Sequence, residues 1–102
     1  MSENDVSPPL PETAEVIDGI RAGLTRLLPP EDLDQIDLDT LDAQTPLLSL
    51  PVDSAVLMAL MTELEDTFTV YIDEEAAFEF GVLGDVADYI RARIAARRLR
   101  DG

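Results

Sequence analysis

Chemistry in this chain has to come from carboxylates, hydroxyls and arginines, because histidine, cysteine and lysine are absent. Imidazole bases, thiolate nucleophiles, Schiff-base lysines and phosphate-loop lysines are thereby excluded, and zinc sites lack their usual ligands. Paired carboxylates can exchange protons, but that work needs a sizeable cleft, which a few short helices rarely enclose. Asp32, Asp34, Asp37, Asp39 and Asp42 stand close together and invite a calcium reading. No frame among them supplies the glycine and terminal glutamate of a helix-loop-helix calcium site. They read instead as a solvated acidic loop. The remaining candidate is Asp53-Ser54, directly ahead of the longest apolar run, Ala55 to Met61. Taken alone, the dipeptide reads as a helix start, with Asp as the cap and Ser in the first turn.

The elements around that dipeptide are helical. Ile17, Ile20, Leu24 and Leu27 recur at helical spacing and predict a first helix from about Thr13 to Leu28, ended by Pro29-Pro30. Gly19 and Gly23, one turn apart, fit a close helix contact and equally well small residues placed by chance. The stretch from Pro29 to Val52 reads mostly as loop, tacked to the core by Leu33, Ile36, Leu38, Leu41, Leu47 and Leu50. Leu57, Leu60, Met61, Leu64 and Phe68 give the helix after Ser54 its buried stripe. A short helix is expected over residues 73–80, with Asp73 as its cap and Gly81 breaking it. Leu83, Val86, Ile90 and Ile94 make the stripe of the last helix. The expected fold is all-α: a small four-helix bundle with three longer helices, one short third helix and a long loop between the first two. Residues 1–11, with three prolines, read as a disordered tail, residues 12–98 as the helical domain, and 99–102 as a basic end.

Length and charge narrow the role further. At 102 residues this is one domain, of a size that buries roughly 60–65% of its unfolded surface without cross-links. All seven basic residues are arginines, and five of them fall at or after Arg91. Residues 1–90 hold two arginines against 21 of the 22 acids, a net charge of −19. Such a body repels nucleic acid and anionic membranes and attracts basic protein surfaces. No apolar run approaches the ~20 residues that span a bilayer, and the acidic start lacks the basic and apolar segments of a signal peptide. A cytoplasmic, monomeric, non-enzymatic protein is expected.

The arrangement as a whole carries more than the dipeptide. Thr45-Pro46-Leu47 and then Leu50-x-x-Asp53-Ser54 lead into an amphipathic helix that closes with Glu63-Leu64-Glu65-Asp66 and Phe68. Asp73-Glu74-Glu75 follows, and then Val86-x-x-Tyr89-Ile90. From Leu50 to Ile90 this resembles an acyl carrier protein without a gap, and the first helix falls where that family has its own. The resemblance implies that Ser54 is the attachment point of a covalent 4'-phosphopantetheine arm, with Asp53 helping the modifying enzyme to engage. It further implies a phosphopantetheinyl transferase as partner, and ketosynthases, acyltransferases or other acyl-processing enzymes with basic docking surfaces. Their contacts would fall on an outward stripe of Ala55, Met58, Thr62 and Glu65, and on the acids Glu63, Glu65 and Asp66.

Three departures from the family pattern stand out. Pro51 takes the place of the usual glycine, which stiffens the turn and removes one N–H. Ala55 replaces a larger aliphatic residue after the serine. Val56 and Ala59 occupy positions where acids are common, and they are expected to flank the outward stripe as an exposed apolar selectivity filter. Together these departures point to a carrier of a specialised, polyketide-type pathway. Two alternatives stay open: an unmodified acidic helical adaptor of the same fold, and a peptidyl or aminoacyl carrier, from which Pro51-Val52 departs further.

Overall fold

The first helix begins where Glu15 turns back to accept the Glu12 N–H at 2.9 Å, satisfying one of the donors a helix start leaves open. In the computed structural model, which describes residues 10–101, this helix is α1 (Thr13–Leu27). It is followed by α2 (Pro30–Leu33), α3 (Ser54–Phe68), α4 (Glu74–Ala77) and α5 (Leu83–Asp101). The described residues contain no strand, only an isolated bridge between Pro46 and Val82. The expected all-helical class and three long helices are present. The count of four is not: a one-turn helix, α2, follows directly on α1, because Pro30 sits at its first position, where a missing N–H costs nothing.

The long connection is also better ordered than its composition implies. Two short 3₁₀ turns, Leu38–Thr40 and Leu47–Ser49, interrupt it. Its polar backbone finds distant partners: Leu47 N–H donates to Gly81 O, Leu83 N–H to Thr45 O and Gly84 N–H to Ala43 O, each at 2.9 Å. Arg21 on α1 adds a bond from its Nε to Leu38 O at 2.7 Å. Leu41, Leu47 and Leu50 are buried, as their tacking role requires. The residues before Ser54 are thus held against the start of α5.

The core lies where α1, α3 and α5 meet. Ile20, Leu24, Leu60, Leu64, Leu83 and Ile90 are its largest fully buried side chains. The two glycines of α1 mark the closest approach to α3. A Cβ on Gly19 would sit 3.2 Å from the Phe68 ring, and one on Gly23 would sit 2.6 Å from Leu60 Cδ1. Across the same seam Arg26 of α1 pairs with Glu63 of α3. Residues 1–9 of the expected N-terminal tail lie outside the described residues. Leu10 already packs on the core, and Pro11 O accepts from Arg91 Nε at 2.9 Å. At the other end, residues 99–101 continue α5.

Candidate functional site

The start of α3 is built by its cap. Asp53 has extended backbone angles, and its Oδ1 accepts the Val56 N–H at 2.8 Å while its carbonyl accepts from Leu57 N–H at 2.8 Å. Ser54 is therefore the first helical residue, and it is exposed. No described group hydrogen-bonds its hydroxyl, and the N–H groups of Ser54 and Ala55 have no backbone partner. A free hydroxyl beside two open N–H groups at a positive helix end suits a phosphodiester, whose charge those donors and the helix dipole stabilise. The residues present thus fit a phosphopantetheine group esterified at Ser54.

Beside the serine lies an apolar cleft of about 190 Å³. Leu47, Leu48, Val52 and Leu57 line it with Ala77 and Phe78. Leu48 is 97% exposed and Phe78 54% exposed, so the cleft opens between two apolar side chains presented to solvent. Sequence reasoning missed both. Leu48 stands between Leu47 and Leu50, which read as core contacts, and Phe78 belongs to a short helix whose faces periodicity cannot assign.

The other expected contacts divide. Ala55, Thr62 and Asp66 are exposed on the outward face of α3, whereas Met58 and Glu65 are half-buried at its border. Met58 packs against the core cluster, so it is less of a surface residue than its offset from the leucine stripe implies. Val56 and Ala59 are half-buried as well, and Val56 packs on the core. The expected exposed filter is corrected accordingly: Val56 lies one helical turn before Leu60 and shares its face. Two of the three expected docking acids are engaged within the chain. Glu63 holds Arg26, and a Glu65 carboxylate oxygen accepts the Ile72 N–H at 2.8 Å.

Two neighbouring features were also unforeseen. Asp73 precedes α4 but its side chain accepts no capping bond; instead its N–H donates to Tyr89 Oη at 3.2 Å. Asp85 accepts the N–H groups of Gly81 and Val82 at 2.8 and 3.1 Å, and these bonds, the one from Gly81 foremost, hold its carboxyl below the usual carboxylate range. No helix among the described residues is long and apolar enough to cross a membrane.

Comparison with known proteins agrees with this geometry. No match emerges among curated proteins. A family model described as a phosphopantetheine attachment site matches residues 25–90, more than half of the chain and all of the elements that build the Ser54 turn. Members of that family carry 4'-phosphopantetheine covalently and act as carriers. With Ser54 free at the capped start of α3 and the match running on both sides of it, the chain belongs to the phosphopantetheine attachment-site family.

Proposed function

We propose that this protein is an acyl carrier that holds acyl intermediates as thioesters on a phosphopantetheine arm at Ser54 and presents them to biosynthetic enzymes. The observation that carries the reading is the exposed, unpartnered Ser54 hydroxyl at a helix start already capped by Asp53. The chain itself performs no bond chemistry in this reading. It presents the hydroxyl, neutralises the phosphodiester with its helix end, and offers the transferase a surface that includes Asp53. In the cytoplasm a monomer would move between the transferase and enzymes such as ketosynthases and acyltransferases. In this reading α1, α3, α4 and α5 would make up a four-helix plan, with α2 an added turn in the loop.

Cargo protection is limited in this reading. The cleft beside Ser54, about 190 Å³, falls below the ~300–1,000 Å³ of pockets that enclose a ligand. A short or polar chain would rest partly in it, between Leu48 and Phe78, and remain accessible to enzymes. Apolar residues at Val56 and Ala59, and the stiff Pro51 turn, favour a specialised polyketide-type pathway over general fatty-acid synthesis and over a peptidyl carrier. With Glu63 and Glu65 held internally, Asp66 is the acid of this group most available to basic partners.

Intact-mass measurement after incubation with coenzyme A and a broad-specificity phosphopantetheinyl transferase tests the assignment. The chain should gain one phosphopantetheine group and Ser54→Ala none, with a stability change within ~0.5 kcal/mol because the site is exposed. Modification that persists in Ser54→Ala would move the site elsewhere. No modification of the unaltered chain would favour the adaptor reading.

A further inference from the structure

The charge along this molecule is sorted, and the sorting follows α3. Ser54 lies at one end of that 15-residue helix, and 15 residues of α-helix span roughly 20 Å. At the other end Arg97 donates to the carbonyl of Thr69, the residue that closes α3. Arg93, Arg97 and Arg100 recur at helical spacing and line a groove of about 540 Å³ that Val70 and Tyr71 also line. Two of the three are held in place, Arg97 by Thr69 O and Arg93 by its position 5.8 Å over the Tyr89 ring. Ion pairs among the described side chains are Arg21 with Asp18 and Arg26 with Glu63, so no described carboxylate pairs with these arginines. Apolar surface stands beside them at Tyr71, which lines the groove and is 62% exposed.

From these placements we infer that the last turns of α5 form a second docking surface, for an acidic amphipathic helix of a partner protein. Its carboxylates would lie along Arg93, Arg97 and Arg100, and an apolar side chain would cover Tyr71. Charge decides the class of partner. A membrane or a nucleic acid presents negative charge over a wide area and would meet the acidic body, whose residues 1–90 carry −19. A short acidic helix is narrow enough to keep to the arginine side of the groove. Glu65 and Asp66 also line the groove and repel its carboxylates toward α5. Because this surface lies a helix length from Ser54, a partner bound there leaves the serine free for an enzyme. The inference does not depend on Ser54 being modified.

The test uses the full chain and a fluorescent synthetic helical peptide with glutamates at the four- and three-residue spacing of the arginines and one leucine between them. Anisotropy should show binding that weakens as salt rises, and a glutamine version of the peptide should bind roughly tenfold or more weakly. Arg93→Glu/Arg97→Glu/Arg100→Glu should abolish binding, with circular dichroism reporting the fold. If loss of the Thr69 contact unfolds that variant, Arg93→Gln/Arg100→Gln keeps Arg97 and should still weaken binding severalfold. Ser54→Ala should bind the peptide like the parent. Equal binding of the glutamate and glutamine peptides, no binding of either, or tighter binding of phosphatidylglycerol vesicles or duplex DNA would overturn the inference.

Discussion

Asp53 and Val56 are joined across the first turn of α3, the carboxylate Oδ1 of one accepting the N–H of the other at 2.8 Å. That single bond takes up the third N–H of the helix and leaves the first two, those of Ser54 and Ala55, without a backbone partner. A cap made by the residue before the serine thus settles the helix start without using the serine hydroxyl. Had Ser54 itself been the cap, its oxygen would have been committed to the backbone.

Removing this cap should therefore act on fold and on modification separately. Asp53→Ala should cost about 1 kcal/mol and leave the chain helical, while the arm is accepted more slowly. Denaturant unfolding and a time course of intact mass measure the two effects. A modification rate equal to that of the parent would reduce Asp53 to a cap.

Packing at the α1–α3 seam gives a sharper stability prediction. A methyl on Gly23 would meet Leu60 Cδ1 at 2.6 Å, and Leu60 is fully buried, so its end has little room to move. Overpacking of this kind costs ~1–3 kcal/mol, against a gain of ~0.5–1 kcal/mol from replacing a helical glycine. Gly23→Ala should lower the denaturation midpoint. A raised midpoint would show that α1 and α3 can separate freely.

Acid should destabilise the start of α5 through Asp85. Its carboxylate accepts from Gly81 and Val82 N–H in the fold and loses both bonds on unfolding, so the folded pKa lies below the unfolded one. A depressed pKa adds stability that is complete above the unfolded value of about 3.9 and is lost as pH falls through the folded value. Asp85→Asn retains an acceptor but not the titration. It should be less stable at neutral pH and show a shallower decline below about pH 4, where ordinary carboxylates begin to protonate. Identical slopes for parent and variant would remove Asp85 from the acid response.

Specificity should depend in part on the half-buried Val56 and Ala59 of α3. Val56→Asp with Ala59→Glu should improve handling by generic fatty-acid enzymes and impair handling by the native partner. Since Val56 packs on the core, the double variant should also lose stability, by about 1 kcal/mol or more, so rates are to be compared at temperatures where both proteins are folded. Equal handling by both enzyme sets would shift specificity to Leu48, Phe78 or the residue 29–52 segment.

What the sequence determined by itself was local. The stripes Ile17-Ile20-Leu24 and Leu83-Val86-Ile90-Ile94 are buried as their spacing requires, because helical periodicity is written into neighbouring residues. Asp53 reads as a cap and acts as one, since a cap reaches only three residues ahead. The two glycines one turn apart left a close helix contact and chance equally open, and the fold decides for the contact. Other features were decided only when distant segments met. Glu63 and Glu65 look like surface acids until Arg26 and the Ile72 N–H arrive beside them. Residues 43–47 look unstructured until Gly81, Val82 and Gly84 return to pair with them. Nothing in the spacing marks Leu48 or Phe78 until the fold leaves them exposed beside the cleft at Ser54. Each of these depends on where the chain comes back to, and residue spacing within a segment carries no information about that return.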